Sequence, residues 1–562
     1  MNIVKESHLG SGGYGDVYRT IDKNNNDHTV ALKIMAHDYA NIRSSVVREF
    51  INIQRFDHPN ILKVDPLVYN DGTRHPVFIN KHQGRVELSL ELLDGDIGNL
   101  PITKDILRKM TYDVTSGLFY MHSLGYIHND LKPANVLYKL ENGVYTFKIA
   151  DFGLSQYMGI PFPSRVTDFL STAIVKAPNA LSSSYYIREN RYNYNSDMFS
   201  LGATMFWVCM KKNNVSYNDF GINEHEIFVD IRTPKFLLHT SKLTEMYGED
   251  GYDFIIKCLE PKSKNRLSSK KALNHPYLKG IRGGAISNLF KKIETMYKQP
   301  SLEDYIEGLY ELEYIEDMYN NYKDGCINLY VDIKKQTGGI AEHMKTIVFE
   351  WLYECVDRFN TASIETYFQT MLIIVQYLNI KTDIAIDKLQ LTAISALSIS
   401  NKINSYFYNS EIEVDNYKWI LANKYTEREI IEKEQNILNS LDLKLPFTPI
   451  MFFLNYWYLK SIYTHENKKP NLGVLSTSVA LMVSIFFSNN VKLSDVPVDS
   501  LAKYCVKKAI QLQNYTDSSN IDILDIDDSL NSILDNIVDN FDTQLKTGIL
   551  YTIKQIIKKI DV

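Results

Sequence analysis

Cysteine is scarce in this chain of 562 residues: five, at 209, 258, 326, 355 and 505, too scattered for a disulfide framework. No pair has metal-ligand or redox spacing, which points to a reducing, intracellular compartment. A long apolar run is also missing. The most hydrophobic stretch, Val474 to Phe487, is about 14 residues and carries Ser476, Thr477, Ser478 and Ser484, whereas a bilayer span needs roughly 20. It reads as a buried core helix. The N-terminus, MNIVKESHLG, lacks the apolar segment of a secretory leader. Nor does one sign of charge dominate, since 61 basic and 67 acidic residues give a net charge of -6. That balance argues against nucleic acid or an anionic membrane as the main partner, and a soluble protein of the cytoplasm or nucleus is expected.

Asn, Ile, Lys and Tyr are abundant (38 Tyr), a bias expected of an AT-rich genome such as that of a protist or a large DNA virus. The length exceeds what one core serves, so roughly two to four domains are expected. Residues 1–100 read as strand-rich with one helix near 41–56, and 101–279 as mainly helical. A loop, Lys279-Gly280-Ile281-Arg282-Gly283-Gly284, then breaks the pattern as a domain boundary would. Most of 286–562 has apolar residues at helical spacing, and Ser301, with Glu303 and Asp304 after it, marks a helix start. From Asp517 to Asp542 the chain is rich in Asp without Lys or Arg, and Leu545 to Ile560 is amphipathic again.

The first half concentrates phosphate chemistry. Gly10-Ser11-Gly12-Gly13-Tyr14-Gly15-Asp16-Val17 is a GxGxxGxV loop, in which missing Cβ atoms let backbone N–H groups approach phosphates. A hairpin needing tight turns would use the same residues. Val30-Ala31-Leu32-Lys33 follows as a strand ending in a lysine that can reach those phosphates. Glu49, on a predicted helix, is either one more solvated glutamate or the ion-pair partner of Lys33. In IHNDLKPAN, Ile127 to Asn135, Asp130 can orient and deprotonate a hydroxyl. Lys132 can neutralise a moving phosphate, and Asn135 can hold a metal ion. Asp151-Phe152-Gly153 follows an apolar strand, Phe147 to Ala150, and offers a carboxylate to Mg2+.

With Ala177-Pro178, Asp197-Met198-Phe199-Ser200-Leu201-Gly202 and Arg266 in order behind these, the first half resembles the eukaryotic protein kinases over about 280 residues. The resemblance implies an α+β two-lobed domain over 1–279, with an N-lobe of 1–94, a C-lobe of 95–279, and ATP and Mg2+ between them. DLKPxN with Lys132 marks the Ser/Thr branch, so protein is the implied substrate, and Thr172 matches the threonine that bridges the catalytic aspartate and lysine. By the same resemblance, Leu9, Gly10, Gly12 and Gly15 cover the nucleotide, Lys33, positioned by Glu49, holds its phosphates, and Val17, Ala31 and Leu137 sandwich the adenine. Leu90 is the implied gatekeeper, Glu91 and Leu93 the hinge, and Asn135 and Asp151 the metal ligands. The run from Arg43 through Arg48 and Glu49 to Asp57-His58-Pro59-Asn60-Ile61-Leu62 is similar to the PSTAIRE helix region of cyclin-dependent kinases.

The second half offers a partner for that helix. His343-Met344-Lys345-Thr346-Ile347-Val348-Phe349-Glu350-Trp351-Leu352 resembles the opening of a cyclin box, and Leu389 to Leu397 its small-residue central helix. Tyr425-Thr426-Glu427 to Leu441, before Pro446-Phe447-Thr448-Pro449, matches its last helix and exit. The implied layout is a linker with leading helices over 280–338, an all-α cyclin box-like domain over 339–446, and a second, divergent cyclin-like region over 447–562 containing the Asp-rich segment. Lys402 and Glu434 match the residues with which cyclins grip the kinase helix, to which Arg48 belongs. An intramolecular partner for the kinase helix is therefore expected.

Three departures qualify the resemblance. Kinases switched on by a phosphate on the activation loop collect it with arginines, because guanidinium–phosphate pairs are strong and bidentate. Here Arg48 remains, but the other two positions hold Asn129 and Gln156, while Thr167 matches the phosphate acceptor and Asp168 stands beside it. Ala177-Pro178-Asn179 lacks the glutamate that pairs with the arginine matched by Arg266, so Arg266 needs another acceptor or more solvent. Tyr14 is either a site of inhibitory phosphate or an aromatic loop tip. A rival of another class is a non-catalytic scaffold that binds nucleotide and recruits proteins.

Overall fold

The computed structural model describes residues 2–12, 15–35, 44–80, 85–158, 193–212, 240–260, 263–279, 314–358, 364–404, 414–463, 472–487, 493, 496–512 and 527–545. These fall into two compact units, one holding the described residues up to 279 and the other those from 314 onward.

The first unit opens with a five-stranded antiparallel sheet. Its strands are β1 (Ile3–Gly12), β2 (Gly15–Asp22), β3 (His28–Met35), β4 (Val77–Asn80) and β5 (Arg85–Glu91), in the order β1-β2-β3-β5-β4. Val30, Leu32, Ile34 and Leu67 form a core beneath it. One helix, α1 (Ser44–Arg55), belongs to this lobe, close to the position expected from sequence. Below lies the helical lobe. Helix α2 (Lys104–Ser123) starts where Thr103 accepts from the Ile106 N–H at 3.2 Å, a side-chain cap for an otherwise unpaired donor. The short strand β6 (Tyr126–Ile127), the hairpin β7 (Val136–Glu141) and β8 (Val144–Ile149), and β9 (Gln156–Tyr157) follow. Helices α3 (Tyr194–Lys212), α4 (Thr240–Tyr247) and α5 (Glu249–Cys258) follow, and a single helical turn, Ser269–Ala272, comes before the end of the described part.

The second unit is all-α: α6 (Ile315–Tyr322), α7 (Glu342–Arg358), α8 (Ile364–Ile380), α9 (Leu389–Asn404), α10 (Val414–Ile420) and α11 (Glu427–Ser440), then α12 (Ile450–Tyr463), α13 (Leu472–Phe487), α14 (Val498–Leu512) and α15 (Asp528–Leu545). Helix α9 is central because its small residues permit close approach. Ala393, Ser395, Ala396, Ser398 and Ser400 are all buried, and α8, α7 and α11 pack on it. Helix α11 begins with a reciprocal cap, Thr426 on the Glu429 amide and Glu429 on the Thr426 amide, where the sequence placed its start. The apolar run from Val474 is a buried core helix, as expected: Val474, Met482, Val483, Ile485 and Phe486 have no exposed surface. No helix among the described residues is long and apolar enough to cross a membrane. The expected helix start at Ser301 and the Leu545–Ile560 pattern lie, apart from Leu545, outside the described residues.

Candidate active site

Strand register places the nucleotide-facing residues. Ala31 and Lys33 are two apart on β3 and so point to the same face. Val17 lies opposite Lys33, and Leu90 opposite Ala31, while Gly10 on β1 lies opposite Val17. Five of the residues implied by the resemblance therefore share one face of the sheet. Gly15, where β2 resumes, has φ +145°, and a Cβ there would sit 2.2 Å from the Ile34 carbonyl oxygen. No side chain fits. Leu9 is half exposed at 49 %, and Leu93 and Leu137 are partly buried. The Glu91 carboxylate accepts from the Lys63 amide at 2.7 Å and pairs with Lys148 at 2.7 Å. Gly13 and Tyr14 lie outside the described residues.

Helix α1 is unusual in being buried on every face from Ser45 to Ile53. Its polar side chains must therefore find partners inside the protein. Glu49, 3 % exposed, meets Lys33 Nζ at 2.5 Å. Lys33 in turn lies 3.9 Å from Asp151. Burial pushes the Glu49 carboxyl above its ordinary value, against the opposing pull of Lys33. Its second oxygen, Oε2, is buried without a hydrogen-bond partner among the described residues. Two more of its polar side chains reach the segment after Asp151. Arg48 Nε donates to the Gly153 carbonyl at 3.2 Å, and Asn52 Nδ2 to the Ser155 carbonyl at 3.0 Å.

The catalytic loop is fixed through its backbone. Asp197, from α3, accepts from the amides of His128 at 2.8 Å and Asn129 at 2.9 Å, and its carboxylate also meets His122 Nε2 at 2.9 Å. Burial alone would raise the Asp197 carboxyl, but the His122 and His128 interactions outweigh it and hold it below its ordinary value. Asn129 has φ 67° and Asp151 φ 66°, the left-handed region that Asn and Asp tolerate best among residues with a side chain. The Asn129 amide donates to the Leu154 carbonyl at 3.3 Å. Phe152 is fully buried between the rings of Phe56, at 5.3 Å, and His128, at 5.5 Å.

Asp130 is 3 % exposed. Its Oδ2 accepts from Lys132 Nζ at 2.6 Å and from Asn135 Nδ2 at 3.1 Å, so the acid, the lysine and the amide form one cluster. Asn135 Nδ2 also donates to the Asp130 carbonyl at 2.8 Å. With its nitrogen so committed, Asn135 has its amide oxygen left for a cation. That oxygen and the partly exposed Asp151 carboxylate are hard donors of the kind Mg2+ takes alongside substrate phosphates. The donor set fits the ion.

Arg266, 4 % exposed, does have other acceptors. Its Nε donates to the Glu260 carbonyl at 2.9 Å and its Nη1 to the Asn195 carbonyl at 3.0 Å, with the guanidinium 5.1 Å above the Phe199 ring. Gln156 is buried on β9, which pairs with β6 at Ile127. In the second unit, Lys402 and Glu434 meet each other at 2.7 Å and are buried. Thr167, Asp168, Thr172, Ala177 and Pro178 lie outside the described residues. Sequence reasoning missed Asn52 and His122, and gave Asp197 no role. Their bonds span 103, 75 and 69 residues, a separation that no local pattern signals.

Residues 3–278 match the protein kinase domain, and residues 315–446 the N-terminal domain of cyclins. The probable serine/threonine-protein kinase fhkB of Dictyostelium discoideum is 26% identical over 357 residues, which is 61% of this chain and 27% of that protein. The serine/threonine-protein kinase RAD53 of Saccharomyces cerevisiae is 26% identical over 316 residues, 54% of this chain and 36% of its own length. The chain thus spans well under half of either relative. It carries a protein kinase domain followed by a cyclin N-terminal domain.

Proposed function

We propose that this chain, a protein kinase domain joined to a cyclin N-terminal domain, is a serine/threonine protein kinase of the cyclin-dependent type, with its activator built into the same polypeptide. The observation that carries the reading is the closed Lys33–Glu49 pair, 3.9 Å from Asp151 at Lys33, together with the Asp130, Lys132 and Asn135 cluster. In this reading Asp130 orients the substrate hydroxyl and takes its proton as the oxygen attacks. Lys132 neutralises charge on the transferring phosphoryl group, Lys33 holds the nucleotide phosphates, and Glu49 holds Lys33. Bound Mg2+, held by Asn135 and Asp151, supplies charge neutralisation at the phosphates.

An activator on the same chain acts at an effective concentration on the order of mM if the linker is short and flexible, without a second protein to recruit. The missing arginines at Asn129 and Gln156 support a reduced dependence on phosphate at Thr167. Mg-ATP turnover on a generic basic protein substrate tests the proposal. The full chain should transfer phosphate to Ser and Thr, and both Asp130→Asn and Lys33→Met should abolish it. A wild-type chain with no transfer would leave the scaffold reading standing instead.

A further inference from the structure

Three side chains from two different elements take the carbonyls of three consecutive residues. Arg48 and Asn52, four apart on α1, hold Gly153 and Ser155, and Asn129 of the catalytic loop holds Leu154 between them. All three side chains are buried, at 5 %, 3 % and 8 %. The amide orientations are set by chemistry, since a carbonyl oxygen accepts and only the amide nitrogen can donate to it. Glu49 is the neighbour of Arg48, and Asp151 lies two residues before Gly153, so the anchored segment ties the residue that holds Lys33 to the metal-facing carboxylate.

We propose that this carbonyl clamp performs in this chain the anchoring that a loop phosphate performs elsewhere, and that Asn52 and Asn129 are its positioning residues. The inference rests on the kinase reading above. Asn129 stands where an arginine would reach outward for a phosphate, and its short amide instead reaches the backbone at Leu154. Asn52 adds a second amide from the helix side. Neither group touches substrate. Each acts by keeping the start of the segment after Asp151 in register with α1, and a segment held in this way needs no added charge at its entrance.

The test uses the full chain and the basic protein substrate. Asn129→Gly removes the side chain but keeps the φ of 67° accessible without strain, so it isolates the hydrogen bond. Asn52→Leu replaces the amide by an apolar group of similar size in a helix. Losing one such buried bond is expected to cost on the order of tenfold in kcat. The KM for ATP should stay within twofold, and each protein should still melt cooperatively. Should either variant fail to fold, Asn52→Ala and Asn129→Asp take its place with the same reading. Wild-type turnover with unchanged kcat in the folded variants would overturn the clamp while leaving the kinase reading intact. Absence of wild-type turnover would instead remove the reading on which the clamp rests.

Discussion

Glu434→Gln leaves the Lys402 ammonium inside the helical unit without its carboxylate. The two side chains are 10% and 2% exposed and meet at 2.7 Å, so water does little to screen either. Removing one partner of such a buried pair costs about 3–5 kcal/mol, because the remaining charge stays desolvated. Glu434 Oε1 is already buried without a partner among the described residues, which places the loss toward the lower end of that range. For a helical domain of this size, 3 kcal/mol corresponds to a drop of roughly 10 °C in melting temperature. Differential scanning calorimetry of the full chain reads it directly. The double variant Lys402→Met, Glu434→Leu removes both charges, and the melting temperature should return to near the wild-type value. The kinase rate of that double variant then separates two roles. If the pair serves the helical fold alone, rate and melting recover together; if its charges hold the kinase helix, melting recovers and the rate does not. A shift of less than about 2 °C in Glu434→Gln would refute the reasoning, since it would mean that the pair is not electrostatically buried.

Three further outcomes are expected. Burial, with Lys63 adding to it, pushes the His58 ring down to about 4 from an ordinary 6.5. The unfolded chain therefore binds the proton first, and stability present above pH 6.5 is lost as pH falls toward 4. At pH 5 the loss is about 2 kcal/mol relative to pH 7.5, and His58→Gln should abolish that pH dependence in melting curves. Thr167→Ala should lower kcat by less than tenfold, about 1.4 kcal/mol, in steady-state assays; near-complete loss would count against phosphate independence. Arg266→Met takes a donor from the buried Asn195 carbonyl and from the partly buried Glu260 carbonyl and should cost on the order of 2–3 kcal/mol in denaturant melts.

Motifs whose function depends on local spacing were legible in the sequence, and contacts between distant residues were not. The core helix at Val474 and the strand lysine at Lys33 each follow from neighbours a few positions away, and the helix starting at Thr426 was placed by the cyclin resemblance. The Lys33–Glu49 pair was reachable because the glycine loop, strand lysine and helix glutamate fall in the order of the protein kinases, which the resemblance turns into an ion pair. Asn52 looks like any helix-surface amide until the fold brings Ser155 to it. Lys402 and Glu434 read as two separate contact residues, yet they pair with each other, because α9 and α11 pack side by side around the small residues of α9. Arg266 was recognisable as needing a partner, but backbone carbonyls carry no sequence signature, so the identity of its acceptors could not be read.

The grip of Asp197 on the amides of His128 and Asn129 holds the catalytic loop by bonds that the side chain at position 129 does not make, so long as that residue tolerates a φ of 67°. Asp130 is presented by backbone bonds anchored in α3, deep in the helical lobe. A substitution at 129 can therefore alter how the loop communicates with its surroundings without moving the catalytic acid. Such a position is modular: control can be rewired there by single substitutions while the chemistry is inherited unchanged.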